Sequence, residues 1–139
     1  MRSELLHVRT GSRVVTDLTD DVVRFCRSGG DDVGSGDGLV HVFVPHATAG
    51  VALLETGAGS EPDLERALER LLPRDDGWQH RHGSPGHGRD HVLPAFVSPS
   101  LSLPVLDGRP QLGTWQSVVL VDTNADNPDR QVRLSFLPG

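Results

Sequence analysis

Leu39-Val40-His41-Val42-Phe43-Val44-Pro45-His46-Ala47-Thr48-Ala49-Gly50 is the stretch that decides the fold class. Residues 39–44 are β-branched and apolar with no helical period, so they read as a strand, and their density of apolar side chains predicts burial on both faces. Pro45 ends the run and residues 50–54 resume it as a second short strand. Outward from there, residues 5–9, 13–15, 101–105, 115–121 and 132–136 also read as strands, with turns at Gly11-Ser12 and Asp107-Gly108. Two helices interrupt them. The first runs from Thr19 to Arg27, capped by Thr16 or Thr19, with Asp20 and Asp21 at its positive end and Val22, Phe25 and Cys26 on one face. The second opens with Ser60 as N-cap in Ser60-Glu61-Pro62-Asp63, repeats Leu64, Ala67, Leu68, Leu71 and Leu72 at helical spacing, and stops at Pro73. Residues 29–38 are rich in Gly and Asp and read as a loop. The sum is an α+β chain: one domain over residues 1–139, with mostly antiparallel, β-sandwich-like sheets and two principal helices.

Composition narrows the function classes. At 139 residues the chain can bury one real core. A formal net charge of −6 and a pI near 5.5 argue against binding nucleic acid or an anionic membrane surface. No apolar run approaches the roughly 20 residues that cross a bilayer. The N-terminus lacks a signal-peptide core, and the single cysteine, Cys26, cannot form an internal disulfide, so a reducing cytoplasmic setting is expected. All 13 basic residues are arginine, and lysine and tyrosine are missing. Schiff-base lysine chemistry, a P-loop lysine and a tyrosine acid or base are therefore excluded. Any anion must be held by Arg, backbone N–H groups or a metal.

Histidine carries the strongest chemical signal. His46 closes the strand-like run, and the small residues after it, Thr48 among them, leave room for a ligand; a strand-end imidazole hydrogen-bonded to backbone is the competing reading. His80, His82, His87 and His91 fall within twelve positions of a Gly-rich polar segment, residues 73–90. A segment this long in a small domain is usually functional or disordered. His82 and His87 read as members of a solvated loop, whereas Trp78 before His80 and Val92-Leu93 after His91 are apolar anchors. His46, His80 and His91 converging after folding would hold one divalent metal with an open position. No HExxH or CxxC spacing supports this locally. Glu55, at the end of an apolar run, reads as a general base, a partner for a ligand histidine, or a solvated strand end. Arg109, Thr114 and Gln116 can hold a phosphate or carboxylate; a turn with a packed Trp115 is the alternative. Arg130 and Arg133 flank the last strand, where surface ion pairs are the default. His7 and His41 read as structural.

In this order, His46-Ala-Thr-Ala-Gly-Val, Glu55, the helix at Asp63, His80, His91, Leu103-Pro-Val, Gly108-Arg109 and Gly113-Thr-Trp-Gln116 resemble the YjbQ-like family, also described as secondary thiamine-phosphate synthase. The resemblance spans about residues 3–137. It implies a β-sandwich with helices, a homotrimer, and a metal on His46, His80 and His91 near a subunit boundary. It also implies weak joining of a pyrimidine methyl diphosphate to a thiazole phosphate with release of pyrophosphate. The chain departs from the family pattern at Ala47, Leu54, Trp78, Arg89 and Leu93.

The expectation is thus a metal-dependent enzyme on a small phosphorylated molecule. The metal would be Zn first, with Mn, Ni, Co or Mg as alternatives. Arg109 and Arg130, with Thr48, Thr114 and Gln116, would bind substrate, and Glu55 would serve as base or orienting group. A metal-dependent hydrolase and a non-enzymatic trimeric metal- or small-ligand-binding protein are the alternatives.

Overall fold

The computed structural model describes residues 1–28 and 36–139. Most of the loop expected at residues 29–38, and the helix stop expected at Gly29-Gly30, lie outside the described residues. The element order is β1 (Arg2–Arg9), β2 (Val15–Asp17), α1 (Thr19–Arg27), β3 (Gly38–Phe43), β4 (Ala49–Leu54), α2 (Ser60–Leu71), two 3-10 turns (His87–His91 and Leu93–Ala95), β5 (Ser100–Leu106), β6 (Arg109–Pro110), β7 (Ser117–Asp122) and β8 (Asp129–Pro138). A five-stranded sheet has the order β1-β8-β3-β5-β6 and a three-stranded sheet the order β2-β7-β4. Every pairing is antiparallel. The chain is therefore the expected α+β sandwich of antiparallel sheets with two principal helices.

The main core lies between the sheets. Leu6, Val40, Val42, Leu103, Val105, Val132, Leu134 and Phe136 of the large sheet meet Ala49, Val51, Val118 and Leu120 of the small one, and α1 adds Val22, Phe25 and Cys26. A second core covers the other face of the small sheet, where Val119 and Val121 meet Leu68 and Leu72 from the region of α2 and Leu93 from the second 3-10 turn. Alternate side chains of β7 thus enter different cores, and Val118, Val119, Leu120 and Val121 are all fully buried.

That corrects the burial expected of residues 39–44. In β3 only Val40 and Val42 point inward, with Val44 just beyond the strand, while Leu39 and Phe43 are exposed. His41 lies on the same outer side, its Nδ1 2.9 Å from Ser102 Oγ. The strand buried on both faces is β7, because only the small sheet is covered on both sides. It begins at Ser117, and Trp115 precedes it as an exposed turn residue rather than a packed strand residue.

The caps also differ from expectation. Asp17, not a threonine, serves α1: its Oδ1 accepts from the Thr19 N–H at 2.8 Å, and Thr19 Oγ1 accepts from the Val118 N–H. Gly59, in the left-handed region at φ 100°, precedes α2 in place of a Ser60 cap, and Glu61 instead accepts from the Gly57 N–H at 2.7 Å. Asp107 and Gly108 have φ of 50° and 68°, two successive left-handed residues that a tight β5–β6 hairpin requires.

Candidate metal centre

The site is built where β7 ends. Ala49 pairs with Asp122, so Thr48 and Asp122 meet at this end of the small sheet, and β8 begins nearby. The buried Arg130 guanidinium donates to Asp122 Oδ2 at 2.6 Å and Oδ1 at 3.0 Å, and to Thr48 Oγ1 at 2.9 Å. Arg130 is therefore not a surface ion-pair residue: both partners are almost wholly inaccessible. From Asp122 the chain descends in two side-chain-capped turns. Asp122 Oδ1 accepts from the Asn124 N–H, and Asn124 Oδ1 from the Asp126 N–H. These turns set Asp126 beside the first 3-10 turn.

That turn carries two histidines. His87 Nε2 lies 2.8 Å from His91 Nε2. The His80 ring is 3.9 Å from the His91 ring and 5.5 Å from the His87 ring, centroid to centroid. One nitrogen from each of His80, His87 and His91 lies within 4.8 Å of the others. Leu93 anchors the turn in the second core, and Trp78 ties down the segment before His80 by donating Nε1–H to Pro73 O at 2.9 Å. Gly88 permits their contact: a Cβ there would stand 2.5 Å from Trp78 Cβ and 2.6 Å from His80 O. Residues 73–90 are thus held in place rather than disordered.

The donor set suits a transition metal. His80 Nε2 is buried with no hydrogen-bond partner among the described residues. His87 Nδ1 faces Asp126 Oδ2 at 3.1 Å and Asp90 Oδ2 at 3.6 Å. Neither approach has hydrogen-bond geometry, but a carboxylate on the Nδ1 side favours the tautomer that leaves Nε2 free for a metal. At 2.8 Å the two Nε2 atoms of His87 and His91 are close enough for one to donate to the other, and both could face one cation. Asp90, fully buried, also accepts from Thr123 Oγ1 at 2.6 Å and has Arg74 and Arg89 each 3.5 Å away. Arg89 in turn binds Glu69 at 2.8 Å and Leu72 O.

His87 was expected to be solvated and is buried instead. Its spacing of four from His91 was the only local signal of their meeting. His46 sits at the same end of the sandwich but outside this group. It extends past the end of β3, where its Nε2 accepts from the Gln131 N–H at 2.8 Å. The imidazole thus replaces a ladder partner, which is the strand-end reading. Glu55, Thr114 and Gln116 lie at the other end of β7, because Leu54 pairs with Ser117. The six residues of β7, roughly 17–20 Å of strand, separate that end from the end where Asp122 stands. Gln116 closes its own loop by accepting from the Gly113 N–H, and Glu55 is exposed. Arg109 is on edge strand β6, also exposed.

A cavity of about 480 Å³ opens beside the histidines, lined among others by Arg74, Trp78, His80, Arg81, Ser84 and His87. Ser84 Oγ is buried beside the Asp126 carboxylate and makes no hydrogen bond of good geometry among the described residues. The sequence reading passed over Arg74, Arg81 and Ser84 because nothing local distinguishes them from loop residues.

Burial holds the imidazoles of His46, His80 and His91 below the ordinary 6.5; Arg130 adds to this for His46, and the neighbouring imidazoles for His80 and His91. Between the folded values and 6.5 the unfolded chain takes up more protons than the folded one. These groups therefore contribute stability that is complete above pH 6.5 and is lost as the pH falls through the folded values. Metal-free protein is expected to melt at lower temperature as the pH drops from roughly 7 to 5. A His46→Gln, His80→Gln, His91→Gln variant should show a flatter profile; an equally steep one would refute the assignment.

The family model described as UPF0047 protein YjbQ-like matches residues 4–139. The chain belongs to the YjbQ-like family. Within it, a UPF0047 protein of Mycobacterium tuberculosis is 60% identical over 139 residues, the full length of both chains. One from Archaeoglobus fulgidus is 30% identical over 128 residues, covering 91% of this chain and 95% of that protein. Among solved structures, a hypothetical protein from Aeropyrum pernix superposes with a TM-score of 0.86 at 30% identity over the whole of both chains. A YbjQ-like protein of unknown function from Sulfolobus solfataricus gives a TM-score of 0.88 at 22% identity, covering 99% of this chain and 97% of that one, and shows the shared fold. Among its described residues, this YjbQ-like chain has no helix long and apolar enough to cross a membrane.

Proposed function

We propose that the chain is a metal-dependent enzyme of the YjbQ-like family, with His80, His87 and His91 as ligands and a small phosphorylated substrate in the adjoining cavity. The supporting observation is the meeting of three imidazole nitrogens within 4.8 Å beside a cavity whose wall carries Arg74 and Arg81 together with Asp75 and Asp76. His87 takes the place that the sequence reading assigned to His46. A bound divalent ion, Zn first on the nitrogen donors, would stabilise developing negative charge on phosphate oxygens. Arg74, whose guanidinium is held by Thr123 O at 2.9 Å, and Arg81 would orient the anion. Ser84 Oγ would supply a hydrogen bond. Asp126 and Asp90 would hold the His87 tautomer.

The reaction that fits the resemblance is thiamine-phosphate synthesis. Pyrophosphate leaves a pyrimidine methyl carbon and the thiazole nitrogen bonds to it. In that reading the arginines hold the diphosphate, and positioning of the two substrates does most of the work. A homotrimer would let the end bearing Glu55, Arg109, Thr114 and Gln116 of one subunit approach the histidine end of the next, since a cyclic assembly joins unlike surfaces. The all-nitrogen ligand set favours a second reading, hydrolysis of a phosphorylated substrate by a water held at the open position, because Mg-type diphosphate chemistry prefers oxygen ligands.

Elemental analysis of tag-free protein tests the centre, beside a His80→Ala, His87→Ala, His91→Ala variant. About one transition metal per chain is expected, lost in the variant while its circular dichroism is kept. Supplying the two thiamine precursors together and singly then separates the reactions: the synthase joins them, the hydrolase releases phosphate from one alone. Metal-free protein that stays so after reconstitution with Zn or Mn would end the metalloenzyme reading.

A further inference from the structure

His82 lies outside the trio that meets within 4.8 Å, yet nothing else engages it. Its ring centroid is 4.0 Å from that of His80 at an interplanar angle of 57°, and about 6 Å from those of His87 and His91. It makes no hydrogen bond or ion pair with any described residue, and it is exposed. Two residues apart in an irregular stretch that bends at His82, His80 and His82 bring their rings together. The next residue is pinned to the site. Gly83, at φ +91°, lies so close that a Cβ would stand 2.9 Å from Asp126 Oδ2 and 3.1 Å from His87 Cδ2. The backbone next to His82 is therefore packed on the Asp126 carboxylate and on the His87 imidazole of the trio, while the His82 side chain is exposed.

We infer that His82 is a fourth, displaceable ligand of the histidine centre. This rests on the metal reading above and deepens it. Its imidazole closes the open position in the resting protein by side-chain rotation, and an oxygen donor of the substrate, a phosphate in the reading above, takes that position in turn. An exposed imidazole with no other partner suits this role: it adds a nitrogen donor without a fixed hydrogen bond to break. Three buried or half-buried ligands then give affinity, and the exposed fourth governs access.

The test uses the full chain loaded with cobalt(II), whose visible absorption reports coordination number and donors. Wild type, His82→Ala, His82→Gln and His87→Ala are compared for cobalt affinity by chelator competition, and for the spectral response to inorganic phosphate. His82→Ala is expected to retain one cobalt per chain. Even changes behind a ligand cost 10–100-fold in affinity, so loss of a direct one should weaken binding by at least about tenfold. Its spectrum should shift, and phosphate should perturb it at a lower concentration than in wild type. Cobalt bound by wild type with unchanged affinity and spectrum in His82→Ala would overturn the inference and leave the trio standing. No cobalt in wild type would overturn both. Loss in His87→Ala with retention in His82→Ala separates the two claims.

Discussion

Arg130→Ala is expected to cost about 3–5 kcal/mol of folding stability, because it leaves the Asp122 carboxylate buried without its counter-charge. Both side chains are almost wholly inaccessible, and the guanidinium makes two bonds to the carboxylate and one to Thr48 Oγ1. For a chain of this length that corresponds to a melting temperature lower by roughly 10–15 °C. Asp122→Asn should be milder, since its amide oxygen can still accept from the Asn124 N–H and start the descent toward Asp126. A double-mutant cycle with Arg130→Met and Asp122→Asn, followed by urea denaturation, isolates the pair. The double variant should be more stable than the sum of the single losses predicts. A loss under about 1 kcal/mol in Arg130→Ala would show that the pair is solvated and that burial has been misjudged.

The second large effect is expected at Gly88. Alanine there meets Trp78 Cβ at 2.5 Å and His80 O at 2.6 Å, and neither can yield as the tip of a flexible side chain could. The segment bearing His80 must move away from the turn bearing His87 and His91. Overpacking of this kind costs about 1–3 kcal/mol. The larger consequence falls on the metal: spreading the three nitrogens should lower Zn or Co affinity by about 100-fold, comparable to the worst changes behind a ligand. Gly77→Ala is the control, since its added Cβ meets only the Asp75 side chain, at 3.2 Å and beyond. Metal affinity measured by chelator competition should separate the two variants. Equal affinities would mean that the trio does not depend on this close approach.

Local pattern reached some features of the chain and not others. The α1 span, the apolar repeat of α2 and the β5–β6 turn follow from side-chain period and turn chemistry, and they appear where those rules place them. Caps were less legible, because Asp17 and Thr19 compete for the same helix end and only the position of Val118 assigns their roles. The burial of β3 was misread for a further reason. Val40 and Phe43 are equally apolar in sequence, yet a strand cannot reveal whether a second layer covers its outer face.

The candidate site divides in the same way. The sequence by itself ruled out lysine and tyrosine chemistry, since both residues are missing, and crowded four histidines into twelve positions. It also carried the family, through ordered motifs along nearly the whole chain. Which histidines meet was decided only by tertiary structure. His46 spends its lone pair on the Gln131 N–H because β3 ends beside β8 there, while His87 is drawn inward by Asp126 and by the Leu93 anchor of its turn. Gln131 and Asp126 lie far along the chain from the histidines they orient. Sequence spacing records residue type and local period, whereas a ligand group is set by packing across elements, and that packing exists only once the sheets, α2 and the 3-10 turns have closed on one another.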